Sequence, residues 1–309
     1  MKKILLAVFL SAVFAALSAG CQGYREIDSE YLVSAIGFQY NESEYTVYTQ
    51  VLVIAADKKD TKNELFYANG KTPYEAADNI TALLPKKAVF DHCATALIQN
   101  GISGKIFKKI VKYLYDTKNL NLGICLYGAD DIKGVLSLEA QTVSGGYDIV
   151  AVKNNIEKST GIDFKNKYYE ICSSQMSNGS FCLPEITIKE DRPAILSQTV
   201  YADFYPVLKL AADEVDLYNL LRGGSGGGEI SVSGKRLTVN KIGADVKLEG
   251  GVLFVKLYCR YRKNGEDTGK ALKTETEKLL IKLKGTPALK PLLKGDYVKA
   301  QKVSVAVYG

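Results

Sequence analysis

The chain has no tryptophan, one histidine, two methionines and seven prolines in 309 residues. A general base needs an orienting partner and a metal site needs further ligands, and His92 is the lone imidazole. On a strand, neighbouring Asp91 points to the opposite face, so His92 reads as a hydrogen-bonded strand residue inside a domain. No H-E-x-x-H and no C-x-x-C spacing occurs, which excludes zincin and zinc-ribbon chemistry. No catalytic residue, metal ligand or cofactor site is nominated, and the expectation is a chain that is not an enzyme and carries no cofactor. Of six cysteines, the five after Cys21 cannot all pair within the chain. Cys93 and Cys125 lie in apolar strand-like contexts and read as small buried hydrophobes. Cys172 and Cys182 are near enough in sequence to bridge, or else stay free. Charge is also sparse in excess: 40 basic against 34 acidic residues give +6, which falls to +4 without Lys2 and Lys3. That is too mild for a nucleic-acid binder, and it suits a face near anionic lipid. The acidic pairs Asp130-Asp131 and Asp213-Glu214 read as helix caps or solvated surface. Beyond residue 20 no run of 18 or more apolar residues occurs, so the body has no transmembrane span.

What is present is concentrated at the start. Met1-Lys2-Lys3 is positive, residues 4–17 are an uncharged run of 14, and Ala19-Gly20 are the small residues a signal peptidase needs. The run is too short for a comfortable membrane span. A cysteine directly after Ala-Gly turns a secretory signal into a lipoprotein signal. The Cys21 thiol can take a diacylglyceryl group and its freed amine a further acyl chain, and two or more chains anchor stably where one does not. Ser18 stands where leucine is commonest in such sites, with Leu17 four residues before Cys21. The alternative is an ordinary secretory signal with an incidental cysteine.

Cys-x-x-x-Arg-Glu-Ile at 21 to 27, then Ala35-Ile36-Gly37 in a hydrophobic segment, resembles the start of the Ger(x)C family, the C-subunit lipoproteins of spore germination receptors. Gln22, Gly23 and Gln39 replace a Trp and two Asp of the family pattern. Gly70-x-Thr72-x-x-Glu75-Ala76, then Lys87, His92 and Gly101-Ile102, is similar in order and spacing, and Pro184 followed by residues 200–221 is a weaker echo. The resemblance implies a lipid-anchored, non-catalytic subunit of a spore nutrient germinant receptor. It further implies a place on the outer face of the spore inner membrane, with two integral-membrane partners, the A and B subunits. The other functional class is a solute-binding lipoprotein serving a transporter. Against that class, the chain is richer in antiparallel hairpins than in strand-helix alternation about a hinge.

Periodicity supplies the elements. Residues 30–40 and 45–56 read as a hairpin with Tyr45, Val47, Thr49 and Val51 on one face. A polar loop follows over 57–63. Thr72, Pro73 and Glu75 open a helix that ends before Pro85. Residues 87–99 read as one core strand. Ile106, Phe107, Ile110, Val111 and Leu114 form the apolar face of a helix over 103–116. Its Lys105, Lys108, Lys109 and Lys112 form a stripe that is either solvated or rests near anionic headgroups. A strand over 120–128, a short helix over 130–138, helices over 146–158 and 164–176 and a strand over 185–189 come next.

A strand pair over 194–207 and a helix over 210–221 lead to Gly223-Gly224-Ser225-Gly226-Gly227-Gly228. With no Gly-Lys-Ser/Thr and no helix behind it, this run reads as a linker or wide loop rather than a phosphate cradle. A hairpin over 237–248 and 252–263 places Lys256, Tyr258, Arg260 and Arg262 on one face, an exposed surface or one that packs on a partner. Thr274-Glu275-Thr276-Glu277 reads as a capping box opening a helix to 283, and 299–308 as a closing strand. The expected fold is α+β, with largely antiparallel sheets and packed helices in two or three subdomains. The expected organisation is a signal peptide over 1–20, an N-terminal α/β domain over 21–183 and a C-terminal α+β domain over 184–309, with a seam near 177–193.

Overall fold

The computed structural model describes residues 30–54, 61–161, 163–222, 225–232, 235–261, 265–293 and 302–308. The leader, Cys21, the motif at 21 to 27 and Arg262 lie outside them. Strands β1 (Glu30–Asn41) and β2 (Glu44–Ile54) pair antiparallel through a turn in which Glu42 and Ser43 take φ of 48° and 75°. Two residues with positive φ give the turn a twist that matches the strands it joins. Tyr45, Val47, Thr49 and Val51 are buried together, as their alternation predicts. Tyr48 and Gln50 between them are buried as well, so the hairpin lies between two layers.

Strand β3 (Thr61–Gly70) occupies part of the stretch expected to be loop. Its ladder to β2, not its own hydrophobicity, makes it a strand, and it forms an edge with Lys62 and Glu64 exposed. Helix α1 (Pro73–Leu83) starts as the sequence predicts: Thr72 Oγ1 accepts from the Glu75 N–H at 3.1 Å. The Glu75 carboxylate in turn accepts from the Lys71 N–H at 2.8 Å. In α2 (Gly104–Asp116) all five expected apolar residues are buried and the four lysines are exposed.

The expected strand over 87–99 is two strands, β4 (Lys87–Val89) and β5 (Thr95–Gln99). Asp91 and His92 sit in an exposed turn between them, so His92 is not an internal strand residue. Both strands pair with β1, β4 at its start and β5 beyond the irregularity between Val33 and Ala35, and the turn carries the chain across that step.

The remaining strands of this sheet are β6 (Cys125–Ala129), β7 (Ser180–Lys189), β8 (Arg192–Ala202) and β9 (Tyr205–Ala211). The order is β3-β2-β1-β5-β6-β7-β8-β9, with β4 beside β1. At the centre, β1, β5, β6 and β7 run parallel, whereas the flanks are antiparallel. Parallel strands need crossovers, and these put helices on both faces. Helices α1, α2 and a helix over Tyr168–Asn178 cover one face. Helices α3 (Ile132–Leu136) and α4 (Gly145–Thr160) cover the other, and the helix over Tyr168–Asn178 is α5 in chain order. The fold is therefore α+β, with a parallel centre that alternation could not reveal because β5 and β6 are almost uniformly buried.

Helix α6 (Ala212–Leu221) leads to a second sheet of β10 (Ser225–Val232), β11 (Lys235–Glu249), β12 (Val252–Tyr261) and β13 (Lys302–Tyr308). Helix α7 (Gly265–Leu283) and a 3-10 turn (Pro287–Leu292) lie between β12 and β13. Leu253, Val255 and Leu257 of β12 share one core with Leu272, Leu279 and Leu283 of α7 and with Cys182, Val200 and Leu210 of the first sheet. Strand β7 runs through positions 183 and 184, and β7 to β9 extend the first sheet.

Two local expectations change, and one open pairing is resolved. Ser225 to Gly228 belong to β10 rather than a loop, because β11 supplies their ladder; Gly223 and Gly224 lie outside the described residues. The run also spells Gly223-x-Ser225-x-Gly227, but Ser225 opens a strand, not the strand-to-helix turn of a nucleophile elbow. Helix α7 begins at Gly265, not at the capping box: Thr276 is fully buried inside it, on the face that carries Leu272, Leu279 and Leu283. Cys172 and Cys182 are free and face different cores, which separates their sulfurs.

Burial pushes the Cys93 thiol from 9.0 and the Tyr45 and Tyr113 hydroxyls from 10.0 up to about 12. Burial raises Tyr168, Tyr201 and Tyr218 too. These groups stay neutral in the fold while the unfolded chain ionises. Their stability contribution is full below the ordinary values and is lost as pH rises through the folded ones. An alkaline titration should show exposed tyrosines ionising first. A second block of phenolate absorbance should appear only with loss of the circular dichroism signal, above about pH 10. Full ionisation with the dichroism unchanged would refute this account.

Candidate functional site

An N-cap serine ordinarily lends its hydroxyl to the N–H groups of the first turn. Ser144, which precedes the 16-residue α4, makes no such bond. Gln50 from the middle of β2 takes its place, its Oε1 accepting from the Gly146 N–H at 3.0 Å and from Ser34 Oγ at 2.8 Å. Gln50 Nε2 donates to the Leu136 carbonyl at 2.7 Å. The Tyr147 and Asp148 N–H groups bond the Ser144 carbonyl, each at 3.0 Å. The Ser144 hydroxyl is left fully buried with no hydrogen-bond partner.

The helix can come this close because its first residues have no side chain. A Cβ on Gly146 would lie 2.4 Å from the Ser34 carbonyl oxygen. Thr95 Oγ1 donates to the Gly146 carbonyl at 2.8 Å and fixes the same turn from β5.

Beside this helix start is a cavity of about 300 Å³. Leu32 and Val33 of β1, Leu52 of β2, and Val143 and Tyr147 at the helix start give it apolar walls. Ser34, Ser144 and His92 also line it, the two serines buried and the histidine exposed, and Tyr147 donates its hydroxyl to the His92 carbonyl at 3.1 Å. Among the described lining residues there is no carboxylate, lysine or arginine. His92, singled out by its rarity, thus reaches this cavity from an exposed turn. The serine and the glutamine were invisible to sequence reasoning; Ser-Gly-Gly before an apolar helix is the one signal that could have marked the place.

Other sites are weaker candidates. A larger cleft of about 430 Å³ lies between α4, β8 and α6, with Ile156, Phe164, Ile195 and Val215 in its wall. A third, of about 250 Å³, lies between α1 and α2 near Tyr74 and Asp116. An ionic cluster closes the end of α4, with Lys153 buried, Glu157 half-buried and Asp163 exposed. Lys153 Nζ meets Glu157 at 3.0 Å, and the Phe164 and Lys165 N–H groups donate to Glu157 and Asp163, each at 2.9 Å. Burial holds the Glu157 carboxyl above its ordinary range. For Asp163 burial is outweighed by the Lys165 N–H and by Glu157, which hold it lower. The cluster's charges are spent on one another, so it acts as a clamp.

The outer face of the second sheet carries Lys256, Tyr258 and Arg260, as expected, with Phe254 beside them. Tyr258 stacks on Tyr308 of β13 at 5.6 Å, and both rings are about half exposed. Lys241, Lys247 and Lys302 are exposed on the flanking strands. Among the described residues no group of three or more His, Cys, Asp and Glu could hold a metal ion. No described helix is long and apolar enough to cross a membrane.

A family model described as the spore germination protein N-terminal domain matches residues 23–188. That is more than half of the chain, and the chain belongs to this family. No curated protein matches it.

The first-turn geometry separates two neighbouring polar residues. Ser144→Ala removes a buried hydroxyl that caps nothing and bonds nothing, so it should cost no stability and should leave the fold equally stable or more stable, by up to about 1–3 kcal/mol. Gln50→Leu strands the Leu136 carbonyl and the Gly146 N–H and leaves Ser34 Oγ only its 3.4 Å bond to the residue-50 carbonyl, and it should cost about 2 kcal/mol or more, at ~1–3 kcal/mol per stranded group. Gly146→Ala should be similarly damaging, because its clash is with backbone. Urea denaturation of the three variants measures all of this, and equal losses for Ser144→Ala and Gln50→Leu would contradict the assignment.

Proposed function

We propose that this member of the spore germination family is the lipid-anchored, non-catalytic subunit of a spore nutrient germinant receptor. Lipid on Cys21 holds it to the outer face of the spore inner membrane, where it assembles with two integral-membrane partners, the A and B subunits. One conjunction carries the reading: a spore germination domain directly behind a cysteine that follows Ala-Gly and an uncharged leader.

Physical arguments support it. Nine residue steps separate Cys21 from Glu30, the first residue of β1, and at ~3.3–3.6 Å each they span at most about 30 Å. The body is therefore kept close to the membrane plane. Confinement to a plane raises effective concentration, so modest contacts with membrane partners suffice. The uncovered aromatic and cationic face of β11, β12 and β13 offers such contacts.

A second reading, a solute-binding lipoprotein of a transporter, is favoured by the apolar cavity at the start of α4. The two separate by their company in the membrane. Tagged protein purified from dormant-spore inner membrane should bring down two multi-span subunits, and Cys21→Ala should release it to the soluble fraction with loss of that recovery. Recovery with an ATP-driven permease instead would replace the receptor reading with the transporter one.

A further inference from the structure

We propose that the cavity at the start of α4 is a binding site for a small apolar monocarboxylate. Three observations converge on that chemistry. Ser144 lines the cavity, and its fully buried hydroxyl has no partner in the protein, because Gln50 has taken over its capping role. A buried hydroxyl without a partner is unfavourable, and an acceptor oxygen on a ligand relieves it. The hydroxyl also stands at the N-terminus of a 16-residue helix, where the aligned peptide dipoles favour negative charge.

The third observation is the wall. Leu32, Val33, Leu52, Val143 and Tyr147 provide apolar surface around about 300 Å³, the lower end of the range for small-molecule sites. That volume fits a short aliphatic chain or a single ring. No described lining residue carries a carboxylate to pair an ammonium, so a zwitterion or an amine is disfavoured against a simple acid. The exposed His92 and the buried Ser34, whose hydroxyl is already given to Gln50, are the other polar residues of the same wall. The carboxylate thus takes the Ser144 hydroxyl and the positive end of the helix, and the hydrocarbon body lies between β1 and β2 on one side and Tyr147 on the other.

The inference does not rest on the receptor reading and stands or falls separately from it. The test uses the full chain in nanodiscs of zwitterionic lipid, with empty nanodiscs as the blank. Saturation-transfer NMR is recorded with hexanoate, hexanol and hexylamine. Hexanoate should bind, hexanol up to about tenfold more weakly because it lacks the charge that the helix N-terminus favours, and hexylamine not at all. Ser144→Ala should weaken hexanoate and hexanol alike by about tenfold, and Leu52→Trp should abolish both by filling the cavity. Circular dichroism checks the fold of Leu52→Trp; should it fail to fold, Ser144→Ala alone decides. No binding of hexanoate, equal binding of hexylamine, or hexanoate affinity unchanged in Ser144→Ala would each overturn the assignment.

Discussion

A primary amide in the middle of a sheet must find partners inside the protein, and the fold around Gln50 is arranged to provide them. Its carboxamide accepts from β1 through Ser34 and from α4 through Gly146, and it donates to Leu136 at the end of α3. One side chain therefore fixes how the helical layer sits on the first hairpin. Where that layer touches β1, bulk is excluded: a Cβ on Gly37 would lie 2.4 Å from Ile132 Cγ2, much as one on Gly146 would strike Ser34. The same arrangement has a cost, since Gln50 displaces Ser144 from its capping role and leaves that hydroxyl unpaired beside an apolar cavity. Satisfying one buried polar group thus creates the need of another.

The two sheets are joined by an apolar core that carries matched polar pairs. Gln198 of β8 and Asn219 of α6 exchange two amide hydrogen bonds, at 3.1 and 2.9 Å. The Tyr218 hydroxyl reaches across to the Ala288 carbonyl at 2.8 Å. The Glu185 carboxylate on β7 is held by Ser197, Thr199 and Lys209. Buried polar groups satisfied this fully specify one relative placement of the elements rather than adding bulk stability.

Much was legible along the chain. The hairpin of β1 and β2, the capped start of α1, the lysine-striped α2 and the hairpin of β11 and β12 each follow from periodicity of apolar residues and from turn or cap residues next to them. The fold class followed from their mixture, and the family from motifs that include Ala35-Ile36-Gly37 and Gly70 to Ala76. The misses share a cause. Strand β3 is polar and exists because β2 offers it a ladder; the Gly-rich β10 exists because β11 does the same. In α7 a buried threonine imitates a cap, and only the core it faces reveals that the helix started earlier.

The sequence by itself determined most of the local elements and the family, because each of these is written in residues close together along the chain. The tertiary structure alone decided the parallel centre of the first sheet, the exposed turn that carries His92, and the cavity at the start of α4. Gln50 and Gly146 are 96 positions apart, and Gln50 and Leu136 are 86 apart. Contacts at such separations are set by which layers pack together, and no window of neighbouring residues contains that information.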